Sequence, residues 1–179
     1  AYGDYRQMLA DPEIDGVYIA TTNNFHYENM LLCLEYGKPF LCEKAFTITK
    51  EEAEEVFQKA EEKGIFSMEA MWSRFTPAVQ KAKEWIDGGR IGQIALANYN
   101  FCFVSGSDPS HRLNAPELGG GANRDIGVYA FEILSYLVNQ PLLEAKTMAT
   151  RFPFGSDSTV GMLLRFEHAV ASTQVSFQA

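Results

Sequence analysis

The chain has 179 residues, 46% hydrophobic and 13% aromatic, enough for one ordinary domain or two small ones with packed cores. Its formal net charge of -8 is spread along Glu-rich segments interleaved with lysines, so it lacks the basic stripe that nucleic acid or an anionic membrane surface requires. No apolar run approaches the roughly 18 residues of a membrane span, no charged-then-apolar leader precedes Tyr2, and Cys33, Cys42 and Cys102 sit unpaired in apolar runs, which predicts a soluble, cytoplasmic protein with reduced, buried thiols and no membrane partner.

Residues 4–10 suit a short helix broken at Asp11-Pro12-Glu13, and Gly16-Val17-Tyr18-Ile19-Ala20 is a compact apolar strand. The polar turn Thr21-Thr22-Asn23-Asn24 leads into a helix over residues 26–36, with Met30, Leu31 and Leu34 at helical spacing and Gly37 as its left-handed stop. Residues 39–42 read as a second strand. Thr49 with Glu52 three residues later is a capping box, Ala53, Val56, Phe57 and Ala60 form the apolar stripe, and Gly64 ends that helix before a third strand over residues 65–68. Alternating strands and helices with short links predict right-handed crossovers and a parallel, doubly wound sheet.

After Trp72 the pattern changes. Thr76-Pro77 predicts an N-cap with proline at the first helical position, and that helix runs to Asp87 before Gly88-Gly89 closes it. Residues 94–104, 142–152, 160–166 and 169–177 read as strands. Between the first two lie a loop over residues 105–118, Gly119-Gly120-Gly121, and a helix from near Asp125 to Val138. The expected fold class is α/β: the carboxyl half of a doubly wound Rossmann domain over residues 1–72, then an α+β domain with an open, mostly antiparallel sheet over residues 73–179. No G-x-G-x-x-G turn for pyrophosphate occurs, and the first strand has no partner on one edge, so both ends read as cut from a longer enzyme.

Two places carry candidate chemistry. Phe40-Leu41-Cys42-Glu43-Lys44 puts one lysine at the carboxyl end of a buried strand, where side chains leave the packed layer and ligands bind in an open parallel sheet. Desolvation or a nearby positive charge lowers such a lysine from its reference near 10.4 toward neutrality, although Lys44 taken alone reads as a surface lysine just past a strand, so the case depends on its surroundings. Asp125 and Tyr129, four apart, share one helix face as a carboxylate and a phenol suited to proton relay. Asp125 can also cap its helix, and the three glycines before it permit close approach of backbone to substrate or to the other domain. No metal-ligand cluster is evident, so no metal site is expected.

Asp15-Gly16-Val17-Tyr18-Ile19-Ala20-Thr21 with Asn23 and His26, then Gly37-Lys38-Pro39, Cys42-Glu43-Lys44, Arg74-Phe75-x-Pro77, Gly92 and Gly119-Gly120-Gly121 with Asp125-Ile126-Gly127-Val128-Tyr129, resemble the glucose-fructose oxidoreductase / inositol dehydrogenase (Gfo/Idh/MocA) family over nearly the whole chain. Met68-Glu69-Ala70-Met71-Trp72-Ser73-Arg74-Phe75 and Tyr129 are most similar to its dimeric dihydrodiol dehydrogenase and D-xylose dehydrogenase branch. The resemblance implies NAD or NADP on the Rossmann half, and hydride transfer between nicotinamide and a secondary alcohol or carbonyl of a sugar, polyol, cyclitol or diol. It implies Lys44 beside the nicotinamide, bonded to the reacting oxygen, and Glu43 near the carboxamide, where the alternative is a solvated charge. Tyr129, a histidine in many relatives, becomes the acid or base, either directly or together with Lys44. Thr21, Thr22, Asn23 and His26 line the cofactor, His26 alternatively serving as a structural hydrogen bonder at its helix start. Trp72 and Phe101 line the pocket for substrate, Trp72 also touching the cofactor side, while core packing is the other reading of Phe101. Arg74 reaches cofactor or substrate oxygens or ties the domains together.

Two departures stand out: Thr22 and Ala45 occupy positions where relatives carry proline, and alanine after Lys44 predicts a more mobile loop. The family also implies a homo-oligomer formed through the second-domain sheet. A non-catalytic dinucleotide-sensing or interface module on the same fold is the alternative.

Overall fold

Asp4 opens the first helix, α1 (Tyr5–Ala10), by accepting the backbone amides of Arg6 and Gln7 on its carboxylate. Three short strands follow, β1 (Val17–Ile19), β2 (Phe40–Cys42) and β3 (Ser67–Glu69), separated by helices α2 (His26–Glu35) and α3 (Lys50–Lys63). They form a parallel sheet in the order β1-β2-β3, with Ile19, Cys42 and Glu69 in register at its carboxyl edge. The Thr49–Glu52 capping box is complete, and Gly37 and Gly64 take the left-handed conformation at φ 68 and 63. β3 begins later than the sequence suggests because the Ile65 amide still closes the end of α3 on the Ala60 carbonyl. Leu9, Ile19, Met30, Leu34, Phe40 and Val56 make the core. Phe57, expected in the buried stripe, is exposed, its ring stacked on Phe46 at 4.8 Å.

This computed structural model describes residues 1–179, and the chain separates into two units, Ala1–Ala70 and Met71–Ala179. The second begins with a 3-10 turn, Trp72–Phe75, and helix α4 (Pro77–Asp87). Thr76 does not cap α4 with its side chain; its hydroxyl donates back to the Ser73 carbonyl at 2.9 Å. Strands β4 (Leu96–Cys102), β5 (Leu142–Arg151), β6 (Asp157–Phe166) and β7 (Val170–Ser176) form an open sheet in the order β4-β7-β6-β5. β6 is antiparallel to both neighbours, and only the β4–β7 pair is parallel.

Helix α5 (Val128–Val138) covers one face of this sheet and is entered through a π-type turn, Asn123–Gly127. Its Ala130, Leu134 and Val138 belong to the same apolar clusters as Val160, Met162, Leu164, Ala171 and Val175 of the sheet. The other face mixes exposed and half-buried residues, and the whole length of β5 is exposed. Alternation along β4 puts Tyr99 and Phe101 on the covered side and Cys102 on the exposed one. Cys102 is therefore not the buried thiol expected, whereas Cys33 and Cys42 are buried. Burial pushes their thiols up to about 11 and about 12. No helix is long and apolar enough to cross a membrane.

Candidate functional site

In the first unit the three strands end in register, so the chain after β1 and after β2 emerges at one edge of the sheet. After β1 the chain folds into a 3-10 turn, Asn23–Phe25, closed by the Phe25 amide on the Thr22 carbonyl at 3.0 Å. The Thr22 hydroxyl donates to Asn24 Oδ1 at 2.7 Å, so side-chain bonding shapes the turn where relatives were expected to use proline. Thr21 Oγ1 accepts from Asn29 Nδ2 at 3.4 Å. Thr21, Thr22, Asn23 and Asn24 are all half-buried, and their neutral hydroxyls and amides are a donor and acceptor set suited to ribose hydroxyls and phosphate oxygens.

The loop after β2 is anchored through its main chain. The Glu43 amide bonds to the Ile19 carbonyl at 2.9 Å, the Phe46 amide to Glu69 Oε1 at 2.9 Å, and the Ala45 carbonyl accepts from His26 Nδ1 at 2.8 Å. Lys44 is half-buried between these anchors, and the Lys44–Ala45 peptide is cis. Glu43 is more than a solvated charge: its carboxylate accepts the Tyr18 hydroxyl and, at 3.2 Å, the Lys44 amide. The bond to Glu43 pushes the Tyr18 phenol up. His26 is 0% exposed, and its Nε2 lies 3.1 Å from the Thr21 carbonyl. The ring lies enclosed between two carbonyls, as the structural role expected for His26 requires.

In the second unit the Tyr129 phenol is 7% exposed and accepts the Trp72 indole N–H at 2.9 Å. The Trp72 ring meets Tyr129 edge-on at 5.9 Å, and the Phe101 ring, from β4, lies tilted 5.8 Å from Tyr129. Trp72 itself is 58% exposed, so its outer face is open for stacking. Arg74 turns toward its own unit: Nε donates to Glu132 Oε1 at 2.5 Å, and the guanidinium sits 4.6 Å from the Tyr136 ring centroid. The other carboxylate oxygen of Glu132 accepts the Ser73 hydroxyl at 3.4 Å. Glu132 thus grips both residues that follow Trp72 and fixes the turn carrying the indole.

Asp125 is buried inside the π-type turn, where Ala122 holds the N-cap position, so it does not cap the helix. The carboxylate at the helix start is that of Asp157, whose Oδ2 accepts the Asn123 amide at 2.6 Å. Arg112, from the long loop, forms an ion pair with Asp125 at 3.6 Å. The close approach made by the glycines is internal: a Cβ on Gly120 would lie 2.7 Å from the Leu113 carbonyl oxygen. Sequence reasoning passed over Glu132, Arg112 and Asp157. Only Glu132 had a local signal, a carboxylate three residues after Tyr129 within the apolar run Phe131-Glu132-Ile133-Leu134, where an ionised group requires a partner.

Comparison with known proteins matches residues 1–70 to the oxidoreductase family with an NAD-binding Rossmann fold, and residues 79–179 to the GFO/IDH/MocA C-terminal domain. D-xylose 1-dehydrogenase (NADP(+)) of Hypocrea jecorina is 36% identical over 180 residues, covering 92% of this chain and 46% of its own length. Trans-1,2-dihydrobenzene-1,2-diol dehydrogenase of Mus musculus is 36% identical over 173 residues, covering 95% of this chain and 51% of its own length. The chain thus spans about half the length of the curated relatives it matches. Among solved structures, levoglucosan dehydrogenase in complex with NADH and levoglucosan superposes with a TM-score of 0.92 at 30% identity, over 99% of this chain and 52% of that one.

Proposed function

Because the chain belongs to the GFO/IDH/MocA family of oxidoreductases, we propose that the whole protein is an NAD(P)-dependent dehydrogenase or reductase acting on a secondary alcohol or carbonyl of a sugar, cyclitol or dihydrodiol. The observation that carries this reading is the anchoring of Lys44 at the carboxyl end of β2, between backbone bonds to Ile19, His26 and Glu69. A reactive side chain is effective only when its backbone is held. Thr21, Thr22 and Asn23 supply the donors for ribose and pyrophosphate, and Glu43 stands beside Lys44 on the carboxamide side. When bound, NAD(P) supplies the hydride acceptor or donor. Lys44 hydrogen-bonds the reacting oxygen and stabilises the negative charge that develops there. In oxidation Tyr129 Oη takes the hydroxyl proton as its own phenolic proton passes to the Asp125 carboxylate, and reduction runs both transfers in reverse. The Trp72 N–H occupies one lone pair of that phenol oxygen, which directs the phenolic hydrogen away from the indole.

Within the family we place the protein beside the dihydrodiol and D-xylose dehydrogenases, on the similarity at 36% identity together with Trp72, Phe101 and Tyr129. Leu96, Met148, Leu163 and Val170 are exposed on the uncovered face of the second sheet, and we assign that face to a homodimer. The free thiols suit the reducing cytoplasm. The test is Lys44→Met in the whole protein: kcat falls by about 10³-fold or more while NAD(P)H still binds, as followed by fluorescence titration. Unchanged turnover removes Lys44 from the chemistry. A wild-type protein that binds NAD(P)H yet turns over no sugar, diol or dicarbonyl is a dinucleotide sensor instead.

A further inference from the structure

His26 is the one fully buried imidazole in the first unit, and each of its two ring nitrogens faces a backbone carbonyl from a different loop. Nδ1 is 2.8 Å from the carbonyl of Ala45, the residue directly after Lys44. Nε2 is 3.1 Å from the carbonyl of Thr21, the first residue of the polar turn that follows β1. Ala45 is itself buried, so its carbonyl has little access to water as an alternative partner, and leaving a buried acceptor unmet costs about 1–3 kcal/mol. The imidazole therefore works as a rigid spacer between two loops, its two edges serving separate tasks.

We propose that His26 is a positioning residue with divided function: its Nδ1 edge sets the Lys44 loop for chemistry, and its Nε2 edge sets the Thr21 turn for cofactor. The proposal rests on the reading of Lys44 as the group that bonds the reacting oxygen. The two edges can be separated by substitution. An asparagine amide places its N–H near the location of Nδ1, and a glutamine amide places its N–H near that of Nε2. His26→Asn retains the bond to Ala45 and gives up the bond to Thr21, whereas His26→Gln does the reverse.

In the whole protein, His26→Asn keeps kcat within about threefold of wild type and raises the cofactor KM about tenfold. His26→Gln lowers kcat about tenfold or more and leaves the cofactor KM within about threefold. This crossed pattern supports the proposal, because a merely structural histidine moves kcat and KM alike in both variants. Equal losses, a reversed pattern or two unaffected variants each overturn it. Should either variant fail to fold, the wild-type protein decides: because both facing groups are carbonyls that only accept, a long-range proton–nitrogen correlation spectrum must find hydrogen on both ring nitrogens of His26, and a ring carrying hydrogen on only one of them overturns the assignment. Lys44→Met separates the two levels. If it abolishes turnover while the crossed pattern is absent, the clamp fails by itself; if it leaves turnover intact, the Lys44 reading fails and takes the clamp's catalytic consequence with it.

Discussion

The two units hold Lys44 and Tyr129 by different means. Around Lys44 the anchors act on the main chain, with Ile19 and Glu69 taking the amides of Glu43 and Phe46 while His26 takes the carbonyl of Ala45. Around Tyr129 they act on side chains, with the Trp72 indole on the phenol oxygen, Phe101 against the ring, and Glu132 fixing Ser73 and Arg74. The difference follows from the elements that carry the two residues. Lys44 leaves a three-residue strand into irregular chain, where conformation must be imposed by bonding the backbone; Tyr129 stands on a regular helix whose backbone is already satisfied, so only the side chain remains to be oriented.

The largest effect that tests the side-chain scheme is Tyr129→Phe, expected to lower kcat by about 10²–10⁴-fold, the usual range for losing a general acid or base, with NAD(P)H affinity little changed. A loss below tenfold would move the proton chemistry away from the second unit. Trp72→Phe keeps an aromatic ring and removes only the N–H; about a tenfold fall in kcat is expected in steady-state assays, since one hydrogen bond to the reacting phenol is lost. If Trp72→Phe is silent, orientation of Tyr129 comes from packing against Phe101 and not from the indole.

Backbone packing matters in the second unit as well, though for stability. Gly120→Ala forces a Cβ against the Leu113 carbonyl and the Ala115 backbone, and should cost about 1–3 kcal/mol in urea unfolding. A neutral result would mean that the loop over residues 113–115 yields readily, in contrast to the bonded loop of Lys44. The smallest expected effect is in thiol reactivity. With Cys33 and Cys42 buried and pushed up to about 11 and about 12, scarcely any thiolate exists near neutral pH, so both should resist alkylation until unfolding. Cys102, exposed on the sheet, should label in the native state. Its rate should fall as protein concentration rises if that face forms the dimer.

Local pattern was sufficient where one element determines its own ends. The capping box at Thr49, the glycine stops at Gly37 and Gly64, and the short apolar strands at Val17 and Phe40 were legible because their bonding partners lie within a few residues. So was Lys44, whose place at a strand's end is a matter of order along the chain. The roles of Asp125 and His26 were not legible in the same way. For Asp125 a cap was one reading, and Asp157, 34 residues from Asn123, supplies that bond; for His26 both a cofactor side and a structural bond were open, and carbonyls 5 and 19 residues away enclose it.

The amino-acid sequence by itself therefore determined the alternation of strands and helices, the α/β class and the candidates Lys44, Asp125 and Tyr129, because periodicity and capping are short-range properties of the backbone. Tertiary structure alone decided which carboxylate meets which donor, that Arg74 turns to Glu132, and that Cys102 faces outward. These depend on groups distant in the chain arriving within hydrogen-bonding distance, and no spacing along a single segment encodes that.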